Sequence, residues 1–296
     1  MATVNSGCYS IWPLKLYETV VNEVNAKIAT GGDIKEVFKG LSGAVEYNAF
    51  YSLFSHLWVR RIKKEVRNYD ARRMAEILDR VKVGRESLFD IAINAGFSPY
   101  KLAKLYAECA FEKGFDLSRF VKNPSLVHDV RLREDLLRCI ADDPVNCSRS
   151  EIIKATVGTE FEELLIELLD ERQICFETEA ELRARGKPKT PDILLLIPMA
   201  VQLDDGRQHI VNWIDSKGMF ADKHTYNEQG EQLRGYVNRY GTGLVIYWYG
   251  FTEDVQSAGG QNVLVLDSFP EKWVFPTGEE ATTGLSAPSF DALVHG

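Results

Sequence analysis

Cysteine is scarce and unpatterned in this chain. There are five, Cys8, Cys109, Cys139, Cys147 and Cys175, scattered and never in C-x-x-C spacing. An odd, dispersed set argues against a disulfide framework and against a cysteine zinc site, and it suits a reducing compartment. Histidine is equally thin: five isolated residues, none expected to be a metal ligand, with His224 reading as a surface side chain. No apolar run reaches the roughly 18 residues that mark a transmembrane helix. No charged-then-apolar segment opens the chain, so no secretory leader is expected. Internal repeats and low-complexity tracts are missing too. What is left is a globular chain of 296 residues, 45% hydrophobic, long enough for a real core and for two domains.

Charge is plentiful but uneven. Residues 1–148 carry 22 Lys and Arg against 19 Asp and Glu, a balance of +3, whereas residues 149–296 carry 13 against 24, a balance of −11. Bulk attraction to a polyanion is therefore not available to the second half.

That acidic half nevertheless holds the most informative pattern. Pro191-Asp192 opens the apolar run Ile193-Leu194-Leu195-Leu196-Ile197, which reads as a short buried strand bounded by Pro191 and Pro198. Asp204-Asp205-Gly206-Arg207 is a turn signal. The chain returns from His209 to Ile214 and ends in Asp215-Ser216-Lys217, 23 positions after Asp192. On a strand, Asp215 and Lys217 share a face, together with Val211 and Trp213. If the two strands pair as a hairpin, Asp192 approaches Asp215. Two carboxylates and an ammonium so placed can hold a divalent metal and activate water against a phosphodiester. Alone, P-D is an ordinary turn dipeptide and D-x-K an ordinary solvated pattern.

Two flanking segments add weight. Thr225 to Arg239 reads as a helix with Gln232 and Tyr236 on one face, able to reach a phosphate oxygen or simply half-buried. Thr159 to Arg172 reads as an amphipathic helix with Phe161, Leu164, Leu165, Leu168 and Leu169 on its apolar side. Glu162 has Leu165, Ile166 and Leu169 as helical neighbours, which is costly for a carboxylate unless a cation compensates or the side chain turns outward.

The order Glu162, Pro191-Asp192, Asp215-Ser216-Lys217, Gln232-x-x-x-Tyr236 resembles the PD-(D/E)xK nuclease superfamily in its Q-x-x-x-Y branch. Lys189-Thr190-Pro191-Asp192-Ile193-Leu194, Asn238-Arg239-Tyr240-Gly241 and the aromatic nonapeptide Gly243 to Phe251 are similar to the TPD-domain family of the codanin-1-interacting nuclease. The resemblance covers nearly the whole chain, though the N-terminal third matches by pattern more than by words. It implies that Asp192 and Asp215 ligate a metal, Mg²⁺ or Mn²⁺, with the Ser216 carbonyl as third contact. Lys217 would orient or deprotonate the attacking water, Glu162 would complete the acidic set, and Gln232 and Tyr236 would support the site. Glu160, in its own G-x-E pattern, competes with Glu162 as the upstream acid. The resemblance further implies binding to a codanin-type protein, a chromatin-linked role, and residence in nucleus and cytoplasm.

The N-terminal half reads as helical throughout. Leu16, Val20, Val24 and Ile28 make a stripe within Pro13 to Thr30. Val45 to Tyr69 is a long periodic segment, with Asp70 capping the next helix. Arg60, Arg61, Lys63 and Lys64 begin the most basic stretch, which is either a solvated face or a phosphate-contacting patch. Ile91 to Ala103 has a helix-turn-helix look: Ala92 packs closely, Gly96 permits the turn, and Ser98-Pro99 starts the second helix, which carries Lys101 and Lys104. No arginine on that helix reads guanine, so sequence-specific contact is not expected. Arg131 to Asp142 is a further helix and Asp143 to Ser148 a linker.

The expected architecture is an α/β C-terminal PD-(D/E)xK-like nuclease domain over 149–276, a central mixed sheet flanked by helices. It is preceded by an all-α domain over 1–148 with helix-turn-helix character near 87–108 and followed by a flexible tail, 277–296. Three functions are in contention: a metal-dependent nuclease, a catalytically weak adaptor on a nuclease scaffold, and a helix-turn-helix regulator. The regulator has no use for Asp192, Asp215 and Lys217 together.

Overall fold

The structure is a computed structural model that describes residues 10–30, 32–203, 205–275 and 280–281. Cys8, Asp204 of the expected turn, and all but Glu280–Ala281 of the expected tail lie outside the described residues. The protein is mixed α/β and divides into two compact units. One comprises the residues through Tyr17, Gly43–Leu53 and those from Thr156 on; the other comprises Glu18–Ser42 and Phe54–Ala155. The division differs from the expected break at 148/149, because N-terminal segments join the unit that holds the sheet.

In chain order the first elements are strand β1 (Ile11–Trp12) and helices α1 (Leu14–Ala29), α2 (Ile34–Leu41), α3 (Tyr47–Glu65), α4 (Ala71–Lys82), α5 (Leu88–Asn94), α6 (Pro99–Ala110), α7 (Leu117–Lys122), α8 (Val130–Ala141) and α9 (Ser148–Glu171). The expected stripe of α1 forms, with Val20, Val24 and Ile28 buried. Asp70 caps α4 by accepting from Arg73 N at 2.9 Å. Ser98 caps α6 by accepting from Lys101 N at 3.0 Å, with Pro99 in the first turn. Gly96 between α5 and α6 has φ +60°, and a Cβ there would lie 2.6 Å from the Ile28 carbonyl oxygen, so the turn needs glycine twice over. Two buried acids fasten this helix pair. Asp135 on α8 accepts from Ser87 Oγ and Leu88 N at 2.7 and 2.5 Å. Asp143 accepts from Ser98 Oγ, Tyr100 N, Val145 N and Asn146 N at 2.5–3.2 Å.

Beyond α9 come β2 (Phe176–Thr178), α10 (Glu179–Ala184), β3 (Ile193–Gln202), β4 (Gln208–Lys217), α11 (Lys223–Tyr240), β5 (Gly243–Tyr247), β6 (Phe251–Thr252), α12 (Glu253–Ala258), β7 (Val263–Leu266), β8 (Trp273–Val274) and β9 (Glu280–Ala281). The main sheet runs β7-β5-β4-β3-β8-β9, with β2 also on β3, and it is mixed: β4, β5 and β7 pair in parallel, β3 antiparallel to β4, β2 and β8. β1, absent from the helical reading of the N-terminus, pairs in parallel with β6.

The sheet separates two core clusters. Leu165 and Leu169 of α9 pack with Ile193, Val211, Ile214, Leu244 and Ile246. Tyr226, Leu233 and Tyr236 of α11 pack with Trp213, Val245 and Tyr247. Leu244 and Ile246 join one cluster and Val245 and Tyr247 the other, the period-two alternation of a strand buried on both faces. β4 breaks this rule once: Val211 belongs with Ile214, so it does not share a face with Trp213, Asp215 and Lys217 as expected. The partner strand shows the cause. The β3–β4 register jumps between Leu194↔Trp213 and Met199↔Val211, a bulge that takes in Pro198. β3 therefore runs past Pro198 to Gln202 instead of ending before it, with the proline at the irregular stretch where a missing N–H is tolerated.

Candidate active site

The site is built where β3 begins and β4 ends. β3 and β4 pair Ile193 with Ile214; continued by one residue, the register sets Asp192 opposite Asp215. Directly opposed residues present their side chains on the same face. Asp192 Oδ2 then accepts from Ser216 N at 2.7 Å. Lys217, two residues beyond Asp215, brings its Nζ to 2.6 Å from Asp215 Oδ2. Tyr236 and Gln232, one turn apart on α11, are joined by Gln232 Nε2 donating to Tyr236 OH at 2.6 Å.

The closeness of these groups shifts their protonation. Burial pushes the Asp192 carboxyl up to about 8, aided by Asp215 and opposed by Lys217. Burial works to lower the Lys217 ammonium, but Asp215 and Asp192 outweigh it and its pKa is raised. Burial and the Asp215 charge raise Tyr236 to about 12, against Gln232 and Lys217. Glu162 is exposed as a residue, yet loss of water at its carboxyl raises its pKa, helped by Glu179 and Asp215 and opposed by Lys217. Glu162 thus stands within the field of the site without joining it. Among the described residues, no three His, Cys, Asp or Glu side chains converge on one metal position. Glu160 is exposed, and its charge acts on Tyr249.

Whether the residues fit a cation turns on Asp215. Its side chain is 0% exposed, its Oδ1 has no hydrogen-bond partner, and its Oδ2 has the Lys217 ammonium at 2.6 Å. That ammonium offsets part of the cost of burying this carboxylate, and Oδ1 is left without a partner. The converging donors are hard oxygens, the type that suits Mg²⁺ or Mn²⁺. Asp192 and Asp215 fit such a cation. Ser216 shows two other roles: its N–H is given to Asp192, and its Oγ accepts from Trp248 Nε1 at 2.8 Å.

Trp248 lies in the aromatic nonapeptide. Its ring stacks on Phe161 with centroids 5.1 Å apart, and Tyr249 meets the same ring edge-on at 5.5 Å. Phe161 precedes Glu162, so the aromatic nonapeptide anchors the helix that carries this glutamate. Trp213 and Tyr247 are core, and Gly243 is required because a Cβ there would lie 2.1 Å from the Trp213 ring. Glu179 was also missed. Its N–H donates to the Asp192 carbonyl at 2.9 Å, and its carboxylate accepts from Thr190 at 3.2 Å. A Thr178 capping box begins that helix, a signal present in the sequence as T-x-x-E. The basic candidates lie in the helical unit: Arg60, Arg61 and Lys64 line a cleft of about 510 Å³ with Arg67, Lys63 is exposed, and on α6 Lys101 is half-buried and Lys104 exposed. Arg61 is engaged with the Gly96 carbonyl and Glu65.

A family model described as protein of unknown function, TPD sequence-motif, matches residues 128–269, a span that includes Glu162, Asp192, Asp215, Lys217, Gln232 and Tyr236. Proteins called CDAN1-interacting nuclease 1 are similar to this chain. The one from Danio rerio is 33% identical over 74% of this chain and 76% of its own length. That from Xenopus laevis is 35% identical over 75% and 77%, and that from Homo sapiens 34% identical over 62% and 66%. No solved structure matches.

Proposed function

The chain belongs to the family of CDAN1-interacting nuclease 1, and from that premise we propose that it is a metal-dependent nuclease of the PD-(D/E)xK type, which hydrolyses phosphodiester bonds and associates with a CDAN1-type partner in chromatin-linked processes. The observation that carries this reading is the opposition of Asp192 and Asp215 across β3–β4, with Asp215 buried and the Lys217 ammonium 2.6 Å from it.

Asp192 and Asp215 would hold the cation, Mg²⁺ or Mn²⁺. When bound, such an ion supplies Lewis-acid polarisation of the phosphoryl group. Lys217, held charged by two carboxylates, donates to a phosphate oxygen, neutralises charge that develops there and orients the attacking water. Gln232 fixes the Tyr236 hydroxyl, which is un-ionised at neutral pH and free to donate. Glu162, with its raised pKa, is the group at the rim able to take or return a proton through water.

The test is a cleavage panel of single-stranded, duplex, flapped and branched DNA and RNA with Mg²⁺ and Mn²⁺. Asp215→Asn and Lys217→Ala are each expected to lower the rate by about 10²-fold or more with unchanged circular dichroism. Undiminished cleavage by either variant overturns the assignment. One observation favours a second reading, a nuclease-fold adaptor with little activity: no third acidic side chain joins the aspartate pair among the described residues. Partner binding without cleavage of any substrate in the panel would select it.

A further inference from the structure

We propose that the cleft beside the aspartate pair binds the backbone of single-stranded nucleic acid through Lys189 and Lys187. The proposal deepens the nuclease reading and rests on it for the identity of the strand as substrate. The cleft, about 600 Å³, is lined by Gln232 and Tyr236 on one side and by residues of the segment leading into Asp192 on the other, Lys187 and Lys189 among them.

That segment is held in shape. Gly186 has φ +72° and Lys189 φ +53°. Lys187 N donates to Leu182 O at 3.1 Å, the Arg239 guanidinium donates to the Pro188 carbonyl, and Thr190 Oγ1 donates to Glu179. Left-handed backbone at a lysine is unfavourable, and strain of that kind is kept where surrounding bonds over-determine it. Its effect here is to lay the Lys189 stem across α11. A Cβ at Gly235 would lie 3.1 Å from Lys189 Cδ and 3.6 Å from its Nζ. Gly235 falls between Gln232 and Tyr236 in the sequence, and a glycine inside a helix is otherwise unfavourable. The notch and the strained lysine explain each other, and they carry the ammonium to the helix face that bears the site's two polar groups.

The charge arrangement selects the ligand. Arg183 is engaged with Glu179 at 2.7 Å, Lys217 with Asp215 at 2.6 Å, and Arg239 with a carbonyl. Lys187 and Lys189 make no ion pair among the described residues. Glu228 and Glu231 also line the cleft, and residues 149–296 are strongly acidic. A duplex, with a phosphate charge about every 1.7 Å of its axis, would spread over that acidic surface. A single strand needs only a few neutralised phosphates and can be confined to the cleft.

The experiment uses the full chain carrying Asp215→Asn, so that the probes are not consumed. Anisotropy of fluorescein-labelled single-stranded DNA, single-stranded RNA and blunt duplex DNA is followed across a salt series. The single strands are expected to bind about tenfold or more tighter than the duplex. Lys189→Gln should weaken them about five- to tenfold and flatten the salt slope by about 0.7, with Lys189→Arg restoring both; a merely structural lysine would not move the slope. Equal or tighter duplex binding overturns the proposal, and so does an unchanged affinity and slope in Lys189→Gln. Lysine-dependent binding by a protein that cleaves nothing in its unsubstituted form upholds this cleft and sinks the nuclease reading instead. Absence of binding to every probe overturns both.

Discussion

At the scale of single residues, the site's most consequential feature is an unresolved electrostatic cost. Asp192 is pushed up from its ordinary 3.8 to about 8 by burial and by Asp215. For a carboxyl whose folded pKa exceeds its unfolded one, the folded state prefers the protonated form. Its penalty is nil below the unfolded pKa, grows as pH rises through the interval between the two values, and levels off above the folded one. Metal-free protein should therefore lose stability from about pH 4 to about pH 8, and Asp192→Asn should remove that loss. The expected result in thermal melts is a Tm gain for Asp192→Asn that is absent near pH 4 and largest near pH 8. A gain independent of pH would contradict the burial argument. Cation binding would relieve the same cost, so Mg²⁺ should raise the Tm of the unsubstituted protein by mass action and leave Asp215→Asn unmoved. The aspartate spacing was legible in the sequence because a hairpin converts distance along the chain into opposition across it. The bond from Ser216 N to Asp192 and the unpartnered Oδ1 of Asp215 were not, because nothing in a D-x-K triplet says which groups come near it from other elements.

At the scale of elements, local signals carried well wherever caps or periodicity governed: Asp70, Ser98-Pro99, and the stripe of α1 all appear as read. They failed where long-range packing decided. The extension of α9 back to Ser148 could not be read from its apolar period, since Ile152 and Ile153 are 66% and 52% exposed and Gly158 interrupts it. The strand end expected at Pro198 was overridden by a bulge. Asp143, read as the start of a linker, is 2% exposed and gathers four donors. Asp143→Ala would leave those donors buried without a partner, and we expect a loss of about 2–4 kcal/mol in denaturant unfolding; a loss under about 0.5 kcal/mol would show the carboxylate to be dispensable. Gly243 belongs to the same class. A methyl group at 2.1 Å from the Trp213 ring forces the indole or β5 to move, at a cost of about 1–3 kcal/mol or more. Gly243→Ala should lower Tm and alter tryptophan fluorescence together, and a silent substitution would mean that the ring has room to yield.

At the scale of the whole molecule, the charge contrast between the two halves was plain from the sequence, but the interleaving of the chain was not. Contacts between residues about two hundred positions apart leave no periodic trace, and the price in conformational freedom of closing so long a loop grows only slowly with its length. Trp12, 0% exposed, meets Phe220 with ring centroids 4.4 Å apart. Tyr17 OH donates to Asp222 at 2.8 Å, and Asp222 caps α11, the helix of Gln232 and Tyr236. Ser52 Oγ accepts from Phe220 N at 3.0 Å. Cutting the chain at the boundary that sequence reading favours, before residue 149, would remove β1, uncover a tryptophan-sized hole beside Phe220, and free the carboxylate that starts α11. Burying a large aromatic is worth about 3–5 kcal/mol in truncation series, a large share of the 5–15 kcal/mol that holds an ordinary domain together. A fragment of residues 149–296 is therefore expected to be unstable, with no cooperative thermal transition and weak near-ultraviolet circular dichroism, in contrast to the full chain. A fragment from 149 that melts cooperatively at the full protein's Tm would show that the N-terminal strand is an ornament on a self-sufficient sheet, and would return the domain boundary to 148.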